Sequence, residues 1–86
     1  MNQKKLYEEF QILSKKMGLK IINGRGDFIG GNCIINNEKV IVLNKLKPME
    51  NRLKILAISF LDYNLEGIYM VPYLRAFIEK FRTLDL

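Results

Sequence analysis

Residues 19–44 constrain the fold of this chain more than any other segment, because three short β-favouring runs follow one another there with turn residues between them. The runs are 19–23, 28–35 and 39–44, and the connections are 24–27 and 36–38. Both connections are rich in glycine or asparagine, which tolerate the positive φ values of tight turns. The segment therefore predicts a three-stranded antiparallel sheet, joined as a hairpin or meander.

Two details of these runs predict how the strands are used. Gly30 and Gly31 interrupt the second run, and glycines inside a strand usually mark a bulge or a close backbone approach. The third run contains the continuous apolar sequence Val-Ile-Val-Leu at 40–43, which is typical of a strand that is buried on both faces.

Helices are predicted on both sides of this segment, from apolar residues that recur at steps of three and four. Asn2 and Gly18 fit the N-cap and the left-handed end of the first helix, and Pro48 and Pro72 fit the first turns of the other two. The predicted helices span 3–17, 48–62 and 72–82. The fold class is therefore α+β in the order α-β-β-β-α-α, one domain over 1–86, with the helices packed on one face of the sheet.

The middle helix has apolar side chains outside its main stripe, among them Ile55 and Ile58. A helix that is apolar around most of its circumference is either central or part of an interface. A domain of 86 residues buries a modest core, so association with a second copy or another protein is a natural supplement to its stability. We therefore predict Ile55 and Ile58 as interface residues.

The composition argues against most catalytic and metal chemistry. The chain has no histidine and a single cysteine, Cys33. Histidine is the usual general base and the commonest metal ligand near neutral pH, and one thiol cannot build a zinc site. We therefore predict no catalytic residue, no metal site and no cofactor. Because Cys33 lies in an apolar run, we expect its thiol to be buried and inert.

The sequence also bears on where the protein acts. No apolar stretch approaches the roughly 20 residues of a membrane span, and the first residues lack the apolar core of a signal peptide. An unpaired cysteine fits a reducing compartment. We therefore expect a cytoplasmic protein without a membrane partner.

The net charge of +5 suggests an anionic partner, although lysine, isoleucine and asparagine together are also typical of AT-rich coding. Four lysines of the first helix lie opposite its apolar stripe, at Lys4, Lys5, Lys15 and Lys16. Glutamates stand among them, as on an ordinary solvated helix face. Nucleic-acid binding by this helix is therefore an alternative function.

Arg25, Asp27, Gly30, Gly31 and Cys33 lie in the most unusual stretch of the sequence. Clustered glycines free backbone amides to bind an anion, and Arg25 would add charge, so these residues are the candidate ligand or thiol site. The lysine-hydroxyl pair of a P-loop is missing, and no helix follows the glycines as in a dinucleotide fingerprint. A tight turn and a bulged strand explain the same residues without any ligand.

Tyr69, Tyr73 and Arg75 form an aromatic and arginine cluster, a composition that is enriched at protein interfaces. We therefore predict them as interface residues. The structural alternative is that the tyrosines close the edge of the core and Arg75 pairs with a carboxylate, Asp62 or Glu66.

The chain shows two resemblances, one over residues 19–81, which is most of the chain, and one over a shorter segment. Gly-Asp-Phe-x-Gly-Gly-x-Cys at 26–33 and Ile-Tyr-x-x-Pro-x-x-Arg at 68–75 resemble a family of small uncharacterised bacterial proteins. Residues 41–57, with Ile-Val-Leu-Asn, Pro-x-Glu-x-Arg and Leu-Ala, resemble the core of zincin-type peptidases that cleave bacterial repressors. The His-Glu-x-x-His positions of that family fall on Ile58, Ser59 and Asp62 here, so the resemblance implies a scaffold without that activity.

These features together predict a non-enzymatic interaction domain that associates with itself or with a protein partner. Nucleic-acid binding through the first helix, and a small-ligand or thiol site at 24–33, are the alternatives.

Overall fold

A computed structural model describes residues 2–82, which form helices and one sheet in the predicted order α-β-β-β-α-α. The elements are α1 (Gln3–Lys16), β1 (Lys20–Gly24), β2 (Gly31–Ile35), β3 (Glu38–Asn44), α2 (Met49–Phe60) and α3 (Pro72–Lys80). Asn2 caps α1 as predicted, since its Oδ1 accepts from the Lys5 N–H at 2.8 Å. Within residues 2–82, no helix has the length and apolar character needed to cross a membrane.

The sheet is mixed, so the prediction of a purely antiparallel sheet is wrong. Its strand order is β1-β3-β2, and β3 pairs antiparallel with β2 but parallel with β1. The chain leaves β1, crosses the end of β3 through residues 25–30, and returns as β2 on the far side. β3 is therefore central, and β1 and β2 are both edge strands.

Asn44, the last residue of β3, holds the crossing segment in place. Its side chain is buried, and Nδ2 donates to the carbonyls of Gly26 and Phe28, both at 2.8 Å. Its Oδ1 accepts from the Leu46 N–H at 3.0 Å. Asparagine suits this position because one short side chain supplies both donors and an acceptor.

Gly30, the last residue of the crossing segment, lies at a position where a side chain does not fit. Its φ is +102°, and a Cβ built on it would lie 2.6 Å from the carbonyl oxygen of Val42. The predicted close backbone approach is confirmed at this glycine. The crossing segment thus lies directly against the backbone of the central strand.

A two-residue turn joins β2 to β3. Asn36 and Asn37 have φ values of 51° and 66°, which are the left-handed pair of a type I′ hairpin turn. The predicted asparagine turn is confirmed, and Ile35 and Glu38 face each other directly across it.

α1 and α2 pack against the sheet face that carries Ile41 and Leu43 of β3, both fully buried, whereas α3 packs mainly on these two helices rather than on the sheet as predicted. Phe10 of α1 and Phe60 of α2 complete this core, with ring centroids 5.7 Å apart in a stacked arrangement. Val40 alternates with these strand residues and is buried on the opposite face, outside the helix-side cluster. Burial on both faces of the third strand is therefore confirmed.

Replacing Asn44 with alanine should lower the free energy of unfolding by about 2–4 kcal/mol, because three hydrogen bonds made by a buried side chain are lost. Asn23→Ala on β1 is the matched control. Its side chain is exposed and reaches the Tyr7 hydroxyl at 3.4 Å, so its loss should stay below about 1 kcal/mol. Urea unfolding followed by circular dichroism measures both variants, and equal losses would contradict this role for Asn44.

Gly30→Ala should destabilise the chain more than Gly31→Ala. Both positions have positive φ, so both substitutions introduce backbone strain, but a Cβ at Gly31 has no atom within 4 Å. We expect the additional clash at Gly30 to cost at least about 2 kcal/mol. Thermal unfolding compares the two variants. Matching Tm values would show that the crossing segment can move off β3 without cost.

Candidate interaction surface

The residues predicted as a ligand site do not converge on one point. Arg25 and Asp27 lie in the crossing segment with exposed side chains, whereas Gly31 and Cys33 belong to β2. Arg25 follows the last residue of β1, which pairs with residue 44 of β3, whereas Cys33 pairs with residue 40. These two positions of β3 lie about 13 Å apart. Gly30 packs on β3 between them.

Cys33 is exposed, so the expectation of a buried thiol is wrong. β2 is an edge strand, and Cys33 pairs with Val40, which faces away from the helices. An apolar run predicts burial only where both faces of its strand are covered, and β2 lacks such cover.

Asn32 connects β2 to the end of α2. Its Nδ2 donates to the Ser59 carbonyl and to Asp62 Oδ2, both at 2.9 Å, and its Oδ1 accepts from the Tyr63 hydroxyl at 3.2 Å. Asn32 is not among the predicted site residues, although an amide at a helix-facing strand position needs polar partners and so signals such a network.

The open edge of β2 is apolar and uncharged. Ile34 is 69% exposed and Ile35 is 42% exposed, and the strand sequence GNCII contains no charged residue. Edge strands are usually protected from pairing by charged side chains, proline or bulges. The β2 strand has no charged residue and no proline, so its outward backbone N–H and C=O groups lie unprotected beside exposed isoleucines.

A shallow depression of about 500 Å³ lies along the helix side of this edge, and besides Cys33 its lining residues are Asn32, Ile34, Lys39, Asp62 and Tyr63. The Lys39 ammonium lies 5.8 Å from the centre of the Tyr63 ring, within cation–π range. A positive side chain from β3 and a negative one from the end of α2 therefore stand beside the same strand. We call β2 and this depression the β2-edge surface.

The two predicted interface residues of α2 differ in their surroundings. Ile58 is 42% exposed and lies four residues before Asp62, but it is not among the residues that line the depression. Ile55 is partly buried and packs against the core.

Arg75 and Tyr69 belong to a second region, the segment between α2 and α3. Arg75 Nη2 donates to the Ile68 carbonyl at 2.8 Å, so the partner of this guanidinium is a backbone oxygen rather than a predicted carboxylate. Lys16 Nζ donates to the Tyr69 carbonyl at 3.0 Å and lies 5.0 Å from the centre of its ring. Both cationic side chains link the segment between α2 and α3 to the helices by hydrogen bonds to its backbone carbonyls. Tyr69 itself stays 69% exposed.

Tyr73 of α3 lines an apolar groove together with Leu6 and Leu53. Burial raises the pKa of its hydroxyl above the usual value, and the carboxylates of Glu9 and Glu8 raise it further. This phenol is therefore neutral at physiological pH.

The residues at the positions that correspond to the peptidase motif make ordinary structural contacts. The Ser59 hydroxyl is buried and donates to the Ile55 carbonyl at 2.7 Å. Asp62 accepts from Asn32, and Ile58 has no metal-binding group. In the part of the chain that the structure describes, no cluster of three or more histidine, cysteine or acidic side chains could hold a metal ion.

Comparison with protein-family models, with curated proteins and with solved structures gave no significant match.

Asn32→Asp should destabilise the domain by about 1–3 kcal/mol at pH 7, because the donor to the Ser59 carbonyl is lost and a second carboxylate faces Asp62. The loss should shrink as the pH falls from 7 to 4, because protonation of the introduced carboxyl removes its repulsion from Asp62 and restores a donor. Asn64→Asp is the matched control, since the carboxylate keeps the oxygen that accepts from the Glu66 N–H. Urea unfolding at both pH values tests this, and a pH-independent loss would argue against the Asn32–Asp62 contact.

Proposed function

We propose that this chain is a protein-interaction domain that binds through the β2-edge surface. The observation that carries the proposal is an edge strand without charge whose Ile34 is 69% exposed. An unprotected edge offers a row of backbone hydrogen-bonding groups to an extended chain, and adjacent apolar side chains add buried area.

The charges around the surface support a protein partner over a nucleic acid. Asp62 lies in the depression beside Lys39, so the surface has mixed sign. Two lysines elsewhere are engaged within the fold: Lys16 contacts Tyr69, and Lys20 forms an ion pair with Glu38 at 3.2 Å. Phosphate recognition needs several free cations on one face.

A retention experiment with the tagged full chain tests this function. We expect the chain to hold a protein, either a second copy or another protein of its source cell, at both 50 mM and 500 mM salt. Apolar and backbone contacts are insensitive to salt, whereas phosphate binding weakens steeply over this range.

Ile34→Lys should weaken that retention at least tenfold, because a charge on an open edge opposes strand pairing. Ile12→Lys on α1 is the matched control, since Ile12 is 48% exposed and gains the same charge away from the sheet. Equal binding by both variants, or retention of nucleic acid that disappears at 500 mM salt, would contradict the proposal.

A further inference from the structure

We infer that the occupant of the β2-edge surface is a second copy of this chain, paired antiparallel through β2 with Cys33 facing Cys33 of the second copy. This inference rests on the proposed function, because it names the partner of the same surface. Six strands would then form one continuous sheet about a two-fold axis, three from each copy.

The hairpin geometry shows which backbone groups of β2 are available. In a two-residue hairpin the pair that closes the turn, here Ile35 and Glu38, exchanges hydrogen bonds, and bonding then alternates along the strand. Cys33 and Gly31 therefore bond to β3, whereas the N–H and C=O groups of Asn32 and Ile34 point to the open edge. The thiol of Cys33 lies 3.9 Å from the Ile34 carbonyl and is a weak donor.

These outward groups define a self-complementary register. If Asn32 of each copy faces Ile34 of the other, both pairs exchange two backbone hydrogen bonds, and Cys33 faces itself between them. Cys33 is the middle residue of the five-residue strand, so this register pairs the strand over its whole length. The central pair is of the non-hydrogen-bonded type, with Cα atoms about 4.5 Å apart.

The charges beside the strand are complementary in this register. Lys39 is the β3 neighbour of Ile34, and Asp62 accepts from the side chain of Asn32. Placing Ile34 opposite Asn32 of the second copy brings Lys39 towards Asp62 of that copy, on the helix side of the sheet. The two-fold axis repeats the attraction, so it acts twice in each dimer.

The other edge of the sheet lacks these properties. β1 carries the charged residue Lys20, which forms an ion pair with Glu38 of β3 across the outer face of the sheet. A lysine on an edge strand opposes pairing with another strand. Self-association through β2 alone closes as a dimer, with β1 as the protected outer edge of each copy.

The native cysteine makes this register measurable. The full chain at 50 µM should have the mass of a dimer by light scattering, and diamide should convert most of it to a disulfide-linked dimer through Cys33. The matched variant carries Cys33→Ser and Ile35→Cys, which moves the thiol two residues along the same face of β2. Its thiols would lie about 14 Å apart in the proposed register, so it should stay dimeric but resist cross-linking.

A charge exchange tests the contact between copies. Lys39→Glu should weaken dimerisation about tenfold, since two attractive pairs become repulsive. Adding Asp62→Lys to that variant should restore most of the affinity. Analytical ultracentrifugation measures both variants, and no recovery in the double variant would argue against the proposed register.

Two results would overturn the inference. One is a dimer that cross-links through residue 35 but not through Cys33, and the other is a wild-type chain that stays monomeric at 500 µM. A monomer that still retains another protein in an Ile34-dependent way would leave the interaction function standing and remove only the second copy. A monomer that retains no protein would remove both.

Discussion

The hydrogen bonds of the Asn44 side chain are the interaction on which the arrangement of the sheet depends. This buried side-chain amide donates to two carbonyls of the crossing segment and accepts from the N–H of Leu46, just after β3. The chain can therefore pass over the end of the central strand rather than turn back beside β1. This crossing leaves β3 in the centre and sends β2 to the far edge.

The position of β2 at an edge explains the surface that the domain presents. Its helix-facing side is tied to α2 through Asn32, whose amide meets Ser59, Asp62 and Tyr63. Its outward backbone groups and its isoleucines stay open. The same network that positions the strand also places a carboxylate next to it, across the depression from a lysine. In the proposed dimer, these opposite charges beside an apolar strand favour pairing with a second copy of the chain.

Local patterns predicted the elements well because the determinants of those elements are local. Helical spacing of apolar residues, the Asn2 cap and the prolines located the helices, and Asn36 and Asn37 located the hairpin turn. The paired glycines predict a bulge or a close backbone approach, and the close approach is present at Gly30. The site was harder to predict. Arg25 and Cys33 are close in sequence, but Arg25 lies in the crossing segment and Cys33 in β2. Asn32 connects elements 27 residues or more apart in the chain.

The sequence by itself determined the α+β class, the order of the elements and the identity of the central apolar run, since periodicity and turn chemistry act over a few residues. Tertiary structure alone decided that β1 and β3 are parallel, that β2 is an edge and that Cys33 is exposed. These features depend on which strand lies between the other two. The strand order depends on long-range contacts, which are the hydrogen bonds of Asn44 to the crossing segment and the packing of Gly30 on Val42. Periodic patterns in the sequence do not encode such contacts.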